Sequence, residues 1–391
     1  MEDVVILAAT RTPIGAYLGA LKDIPGPKLG ALAIAEALKR AGVQPNQVEE
    51  CLMGTVLPAG VGQAPARQAA IYAGLPNSVR CTTVNKVCGS GMKAVMLAAQ
   101  AIQTGEAEIV VAGGMENMSR VPFYLDKARE GYRLGNGKLI DGLIQDGLWD
   151  VYGDQHMGNC AELCSREKKI SRADQDAYAK QSYQRALNAQ KEGLYKNEII
   201  PVTVTAGKQT LTIDTDEEPG RGKLDKFGDL RPAFEKEGTV TAANASSLND
   251  GASALVLASA SAAKRLGLKP LARLVAQASF AQAPEWFTTA PIGATQKLLK
   301  NAGLTVSDID LFEINEAFSV VALACLQGLG IEDQRVNTRG GAVAMGHPIG
   351  ASGARIVTTL LHALRHDGKK RGVASICIGG GEATAVLLET L

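Results

Sequence analysis

Cys81-Thr82-Thr83-Val84-Asn85-Lys86-Val87-Cys88-Gly89-Ser90-Gly91 reads as a short strand, a tight turn and the start of a helix. The helix follows from Met92, Val95, Met96, Ala99 and Ile102, which recur at roughly helical spacing. Cys88 sits on the turn, where unpaired N–H groups and the positive end of the helix favour a thiolate over a thiol. This is the logic of a nucleophile elbow with sulfur in place of oxygen. The same residues also fit a plain buried cysteine beside a close-packed glycine turn.

The unit recurs. Leu38-Lys39-Arg40-Ala41-Gly42-Val43 is echoed by Leu299-Lys300-Asn301-Ala302-Gly303-Leu304. The interval from Leu38 to Gly91 matches that from Leu299 to Gly353 to within one residue. Each half then runs through a helix into an apolar strand, glycines and a glutamate: Ile109-Val110-Val111-Ala112-Gly113-Gly114-Met115-Glu116 in the first, Ala374-Ser375-Ile376-Cys377-Ile378-Gly379-Gly380-Gly381-Glu382 in the second. Such short, wholly apolar strands alternating with helices predict an α/β fold with a largely parallel, helix-covered sheet in each half.

Between the halves, residues 119–240 lack this alternation. A helix over Ala173 to Gln190 is predicted there, opened by the capping signature Ser171-Arg172-Ala173-Asp174. A structured insertion of this length suits a substrate lid or an oligomer contact. Ala254-Leu255-Val256-Leu257 returns as a strand of the first sheet. The predicted division is residues 1–118 with 241–268 as the first half, 119–240 as an inserted loop domain, and 269–391 as the second half.

The 391 residues carry 41 Lys and Arg against 40 Asp and Glu, a balance unlike that of a nucleic-acid binder. No apolar run of about 18 residues predicts a membrane span. A strand opens almost at once (Val4 to Ala9) and Glu389-Thr390-Leu391 is not a peroxisomal signal, so a cytoplasmic setting is expected. The odd count of seven cysteines then fits reduced thiols, with no disulfide framework.

Of the four histidines, His362 and His366 are expected on a solvated helix face near Arg365, Lys369 and Lys370. His347 lies in Gly346-His347-Pro348-Ile349-Gly350-Ala351-Ser352-Gly353, a stiff loop that would hold it as a general base. Cys377 ends a strand before three glycines, where open α/β sheets place ligands and where free amides could bind an oxyanion. Asn315 follows the strand Ile309 to Ile314 and could anchor a water, while Glu316 suits a helix start. His156, Cys160 and Cys164 share a helix face but cannot all converge on one ion, so no metal is expected.

Taken together, 84–91, Asn315-Glu316-Ala317-Phe318, 346–353 and Cys377-Ile378-Gly379-Gly380-Gly381 resemble the thiolase family. Gly113-Gly114-Met115-Glu116-Asn117-Met118-Ser119 and Asn249-Asp250-Gly251-Ala252 fit as well, and the resemblance runs the length of the chain. It is nearest to the acetyl-CoA acetyltransferases of biosynthetic type. The resemblance implies a five-layer α-β-α-β-α sandwich and a reversible Claisen condensation of two acetyl-CoA into acetoacetyl-CoA and CoA. In it Cys88 would carry the acyl group, His347 would act as base and Cys377 as acid/base at the α-carbon. Asn315 would hold a water at the enolate oxygen, and the backbone N–H groups of Cys88 and Gly379 would bind the second oxyanion.

The same resemblance suggests His156, Met157, Arg221, Phe234, Ser246 and Phe318 as contacts for CoA and the acyl pocket. Phe287, in Trp286-Phe287-Thr288-Thr289-Ala290-Pro291, stands where biosynthetic relatives usually carry a smaller sequence, which bears on acyl chain length. It further implies a homotetramer, a dimer of dimers with part of 119–140 between dimers, and CoA thioester substrates with no resident cofactor. A broad-chain degradative 3-ketoacyl-CoA thiolase would use identical catalytic residues. A ketoacyl synthase would need two histidines, and a silent acyl-CoA-binding relative would have lost one of the four catalytic side chains.

Overall fold

The computed structural model describes residues 2–207 and 209–391. The first half runs β1 (Val4–Arg11), α1 (Gly26–Ala41), β2 (Glu50–Gly54), α2 (Pro65–Tyr72), β3 (Arg80–Val84), α3 (Ser90–Gln103) and β4 (Ile109–Asn117). The intervening segment contributes α4 (Met157–Lys168) and α5 (Arg172–Lys191), after which β5 (Asn249–Ser259) returns. The second half runs β6 (Ala272–Ala281), α6 (Ala290–Ala302), β7 (Leu311–Ile314), α7 (Ser319–Leu329), α8 (Ile349–His366), β8 (Arg371–Ile378) and β9 (Glu382–Thr390).

The duplication is visible in the strand order. The first half is arranged β1-β5-β4-β2-β3 and the second β6-β9-β8-β7. A parallel bridge between Phe312 and Val336 takes the place that β3 holds in the first half. Pairing of Val4–Ile6 with Ala272–Leu274 joins the two halves into one continuous sheet.

That sheet is mixed, which corrects the expectation of a largely parallel one. Only β2–β3, β2–β4 and β7–β8 are parallel among the main pairings. The reason is the connections: β8 turns into β9 over Gly379 to Gly381, too short for a crossover. β5 comes back from the insertion to lie antiparallel to both β1 and β4.

Three apolar cores define five layers. One packs α1 and α2 (Leu29, Ile34, Ala69) on the first half's outer face. A second packs α6 and α7 (Leu298, Leu299, Cys325) on the other half's outer face. The central core joins α3 and α8, through Met92, Val95, Ile356 and Leu360, to the strands of both halves. Gly91 and Gly353 allow those two helices to meet: a Cβ at Gly353 would lie 2.4 Å from the Met92 nitrogen, and one at Gly91 2.9 Å from that of Ala354.

In α5, the expected cap forms: the Asp174 N–H donates to Ser171 Oγ at 3.1 Å and the Ser171 N–H to the Asp174 carboxylate at 3.0 Å. From there the insertion reaches Glu316. This residue does not start a helix, since α7 opens at Ser319; it is a buried carboxylate receiving four donors. They are Tyr178 Oη (2.8 Å), Ser182 Oγ (2.7 Å), Asn337 Nδ2 (2.8 Å) and the Val343 N–H (3.1 Å). Glu316→Ala strands those donors without water, so unfolding free energy should fall by on the order of 3 kcal/mol, read as a lower urea midpoint.

His362 also departs from expectation. It is half-buried and its Nε2 donates to the Ala9 carbonyl at 2.9 Å, because α8 turns that face onto β1. His366 is exposed beside Asp367.

Candidate active site

β3 ends at Val84, and four residues later the chain presents Cys88 to a cavity of about 460 Å³. The turn is tight enough to put Val87 at φ +45°, a left-handed conformation that a β-branched residue resists. Three hydrogen bonds hold it there: Val87 N–H to Asn85 Oδ1 (3.0 Å), Lys86 N–H to Ser90 Oγ (2.8 Å), and Ser90 Oγ–H to the Val87 carbonyl (2.6 Å). From the second half, Glu382 pairs with Lys86 at 2.5 Å and brings β9 against the same turn.

The helix start does not make Cys88 a resting thiolate. Burial dominates and pushes the thiol up to about 11, against the opposing pull of the Gly379 N–H and its own N–H. Those two amides reach the sulfur, beside the place where the oxygen of an acyl group bound to it would stand. The charge anticipated from the helix alone is overridden because the Cys88 turn packs beneath Leu57, Met118 and Ile349. A resting thiol needs a base.

His347 lines the same cavity. Its backbone N–H donates to Asn249 Oδ1 at 2.9 Å, its Nδ1 lies 2.6 Å from Ser352 Oγ, and its Nε2 lies 3.5 Å from Asn315 Nδ2. Gly346 at φ +103° permits the approach, since a Cβ there would fall 2.2 Å from the Asn249 side chain. Burial, and secondarily the charge of Arg355, lowers the imidazole to about 3, so it is neutral at pH 7 and free to accept a proton.

That shift has a stability consequence. The folded state resists protonating His347, whereas the unfolded chain binds the proton near pH 6.5, so the contribution is complete above pH 6.5 and lost below it. Between pH 6.5 and about 5.5 the wild type should lose about 1 kcal/mol more than His347→Gln, measured by urea unfolding at both pH values.

Cys377 and Asn315 lie just behind the cavity wall and are fully buried. Burial pushes the Cys377 thiol well up; the neighbouring Cys88 adds to this, and the Asn315 side chain pulls against it. Asn315 therefore touches both His347 and Cys377. Cys377 shares an apolar cluster with Met157, Phe287 and Phe318.

The remaining expected contacts divide. His156, Met157, Phe234, Ser246, Phe287, Phe318 and Gly379 line the cavity. His156 stacks on Phe234 (4.7 Å between centroids), Phe234 meets Phe318 edge-on (6.2 Å), and Phe318 meets Phe287 (6.3 Å). Gly158 leaves room for this collar, as a Cβ there would fall 2.3 Å from the Phe234 ring. Ser246 Oγ donates to the Ala317 carbonyl at 2.9 Å, leaving its lone pairs as acceptors. Arg221 is not brought in: it is exposed, 3.9 Å from Glu218.

Sequence reasoning missed Leu143, Ile144 and Leu148, the apolar stretch with which the insertion roofs the cavity. Their signal was an apolar run inside an otherwise polar segment. It also left Asn249 and Ser352 without roles, although both stood in quoted motifs. Among the described residues, no group of three or more His, Cys, Asp or Glu could hold a metal, and no helix is long and apolar enough to cross a membrane.

Known proteins match this chain along its length. The family model for the thiolase N-terminal domain matches residues 4–261 and that for the thiolase C-terminal domain residues 268–390. Acetyl-CoA acetyltransferase 2 of Arabidopsis thaliana is 55% identical over 393 residues, covering 100% of this chain and 98% of the relative. The acetyl-CoA acetyltransferase of Cupriavidus necator is 53% identical over 391 residues, with 100% of each chain covered. The human mitochondrial acetyl-CoA acetyltransferase is 51% identical, covering 100% of this chain and 91% of the relative. A crystal structure of the Acat5 thiolase from Ascaris suum in complex with coenzyme A superposes with a TM-score of 0.95 at 47% identity, covering 100% of both chains. With two domain models matched in tandem and whole-chain likeness in sequence and fold, this chain belongs to the thiolase family.

Proposed function

We propose that the chain is an acetyl-CoA C-acetyltransferase, catalysing the reversible condensation of two acetyl-CoA into acetoacetyl-CoA and CoA through an acetyl-Cys88 thioester. The observation that carries this reading is the convergence of Cys88, His347 and the Gly379 amide on one cavity, with Asn315 linking His347 to a second thiol, Cys377. In the forward direction His347 takes the Cys88 proton as sulfur attacks the acetyl carbonyl. The proton then leaves with the CoA thiolate, so the acyl-enzyme forms with no net change in protons. Cys377 next passes its proton to the now neutral His347 and, as the thiolate, removes an α-proton from the second acetyl-CoA, whose enolate oxygen is held by the His347 imidazolium and a water on Asn315. The carbanion attacks the Cys88 thioester, whose oxyanion sits on the Cys88 and Gly379 N–H groups. Collapse breaks the carbon–sulfur bond and frees acetoacetyl-CoA, and the Cys88 thiolate takes its proton back from His347. Ping-pong kinetics follow from the acyl-enzyme.

His156, Met157, Phe234, Ser246 and Phe318 are proposed to receive the pantetheine and acyl groups, with Phe287 closing the acyl end and Arg221 outside the cavity near the adenine. The division 1–118 with 241–268, 119–240 and 269–391 belongs to the same reading. So does a homotetramer built as a dimer of dimers, supported by the exposure of Phe123, Leu134 and Leu139 within or beside 119–140. A cytoplasmic setting accords with seven unpaired thiols, and cell fractionation tests it.

The deciding experiment is CoA-dependent thiolysis of 3-ketoacyl-CoA substrates of four to sixteen carbons. A sharp optimum at acetoacetyl-CoA is expected, with the aromatic collar excluding longer chains. Comparable rates on long chains would replace this reading with the broad-range degradative activity.

A further inference from the structure

His347 must offer one particular ring nitrogen to take the Cys88 proton, and a neutral imidazole can carry its hydrogen on either. Its backbone is already held, by Asn249 on the N–H and by the close fit of Gly346. What remains free is the ring's rotation and tautomer. Both meet Ser352, a fully buried residue in the first turn of α8. Ser352 Oγ lies 2.6 Å from His347 Nδ1 and donates its single proton to the Pro348 carbonyl at 2.9 Å. A hydroxyl so committed presents lone pairs to the ring. Nδ1 then carries the hydrogen, and Nε2, the nitrogen 3.5 Å from the Asn315 amide, keeps its lone pair.

We infer that Ser352 is a positioning residue, fixing the Nδ1–H tautomer and the ring orientation that aim His347 Nε2 at the reacting groups. The inference rests on the acyl-transfer reading above, in which His347 is the base. The device differs from a triad carboxylate, which also stabilises the imidazolium. A neutral hydroxyl selects the tautomer without that charge stabilisation.

The test combines ¹⁵N-histidine NMR with kinetics. In the wild type, the signals absent from His347→Gln should show Nδ1 protonated and Nε2 bare. In Ser352→Ala the two tautomers should mix, and kcat for acetoacetyl-CoA thiolysis should fall roughly tenfold or more while KM holds. Ser352→Thr, which keeps the hydroxyl, should restore both. A wild-type proton on Nε2 would overturn the inference, and so would an Ala variant with unchanged kcat and signals. A loss of kcat in Ser352→Ala with the wild-type tautomer retained would assign the effect to packing and overturn it too. If Ser352→Ala does not fold, the wild-type signals decide alone. A wild type without thiolysis would sink the functional reading, while the NMR would still report the tautomer.

Discussion

Cys88→Ala should lose acyl transfer by about 10⁴-fold or more, and no acetyl group should remain on the protein after incubation with acetyl-CoA. The size of the effect follows from the site having one sulfur in the right place. Cys88 is the thiol that two backbone N–H groups reach and that shares the cavity with the neutral imidazole of His347. The other thiols are placed otherwise. Cys51, Cys160, Cys164 and Cys325 are buried away from those amides, Cys81 of β3 faces Arg67 of α2, and Cys377 is fully buried and does not line the cavity. Intact-protein mass after acetyl-CoA treatment, read with the thiolysis rate, checks the prediction. Residual acetylation of the variant would place the nucleophile elsewhere.

Cys377→Ala should separate the two half-reactions. Acetylation of Cys88 needs the His347 base and the paired amides, none of which the variant removes. Condensation needs a proton taken from a weakly acidic methyl group, and loss of the general base there should cost about 10²–10⁴-fold. The variant should therefore accumulate acetyl-enzyme and make almost no acetoacetyl-CoA. The high position of the Cys377 thiol accords with this division, since a buried group that holds its proton tightly is also a strong base once ionised. Loss of acetylation in the variant would instead put Cys377 in the first half-reaction. The bound acetyl group, measured by mass alone, distinguishes the two outcomes.

Much of this was legible in the residues because it depends on neighbours along the chain. The turn at Cys88, the helix after it, the cap at Ser171 and the register of the duplicated units follow from glycine placement, side-chain period and local hydrogen bonding. The rigidity of His347 could be read from Gly346 and Pro348 in the same way. These are short-range effects, which survive whatever packs above them.

Tertiary structure decided the rest. Strand direction depended on how far the chain travels between strands, and the three-glycine turn before β9 forces an antiparallel pair that periodicity alone does not report. Glu316 became a buried acceptor for the insertion, and His362 turned inward to β1, because distant elements cover positions that a helical pattern leaves ambiguous. The state of the Cys88 thiol shows the principle most directly. The helix start beside it favours a thiolate, but the apolar residues that the second half and the insertion bring over it favour a thiol. Desolvation is set by everything within packing distance, so it is fixed only when the two halves close on each other.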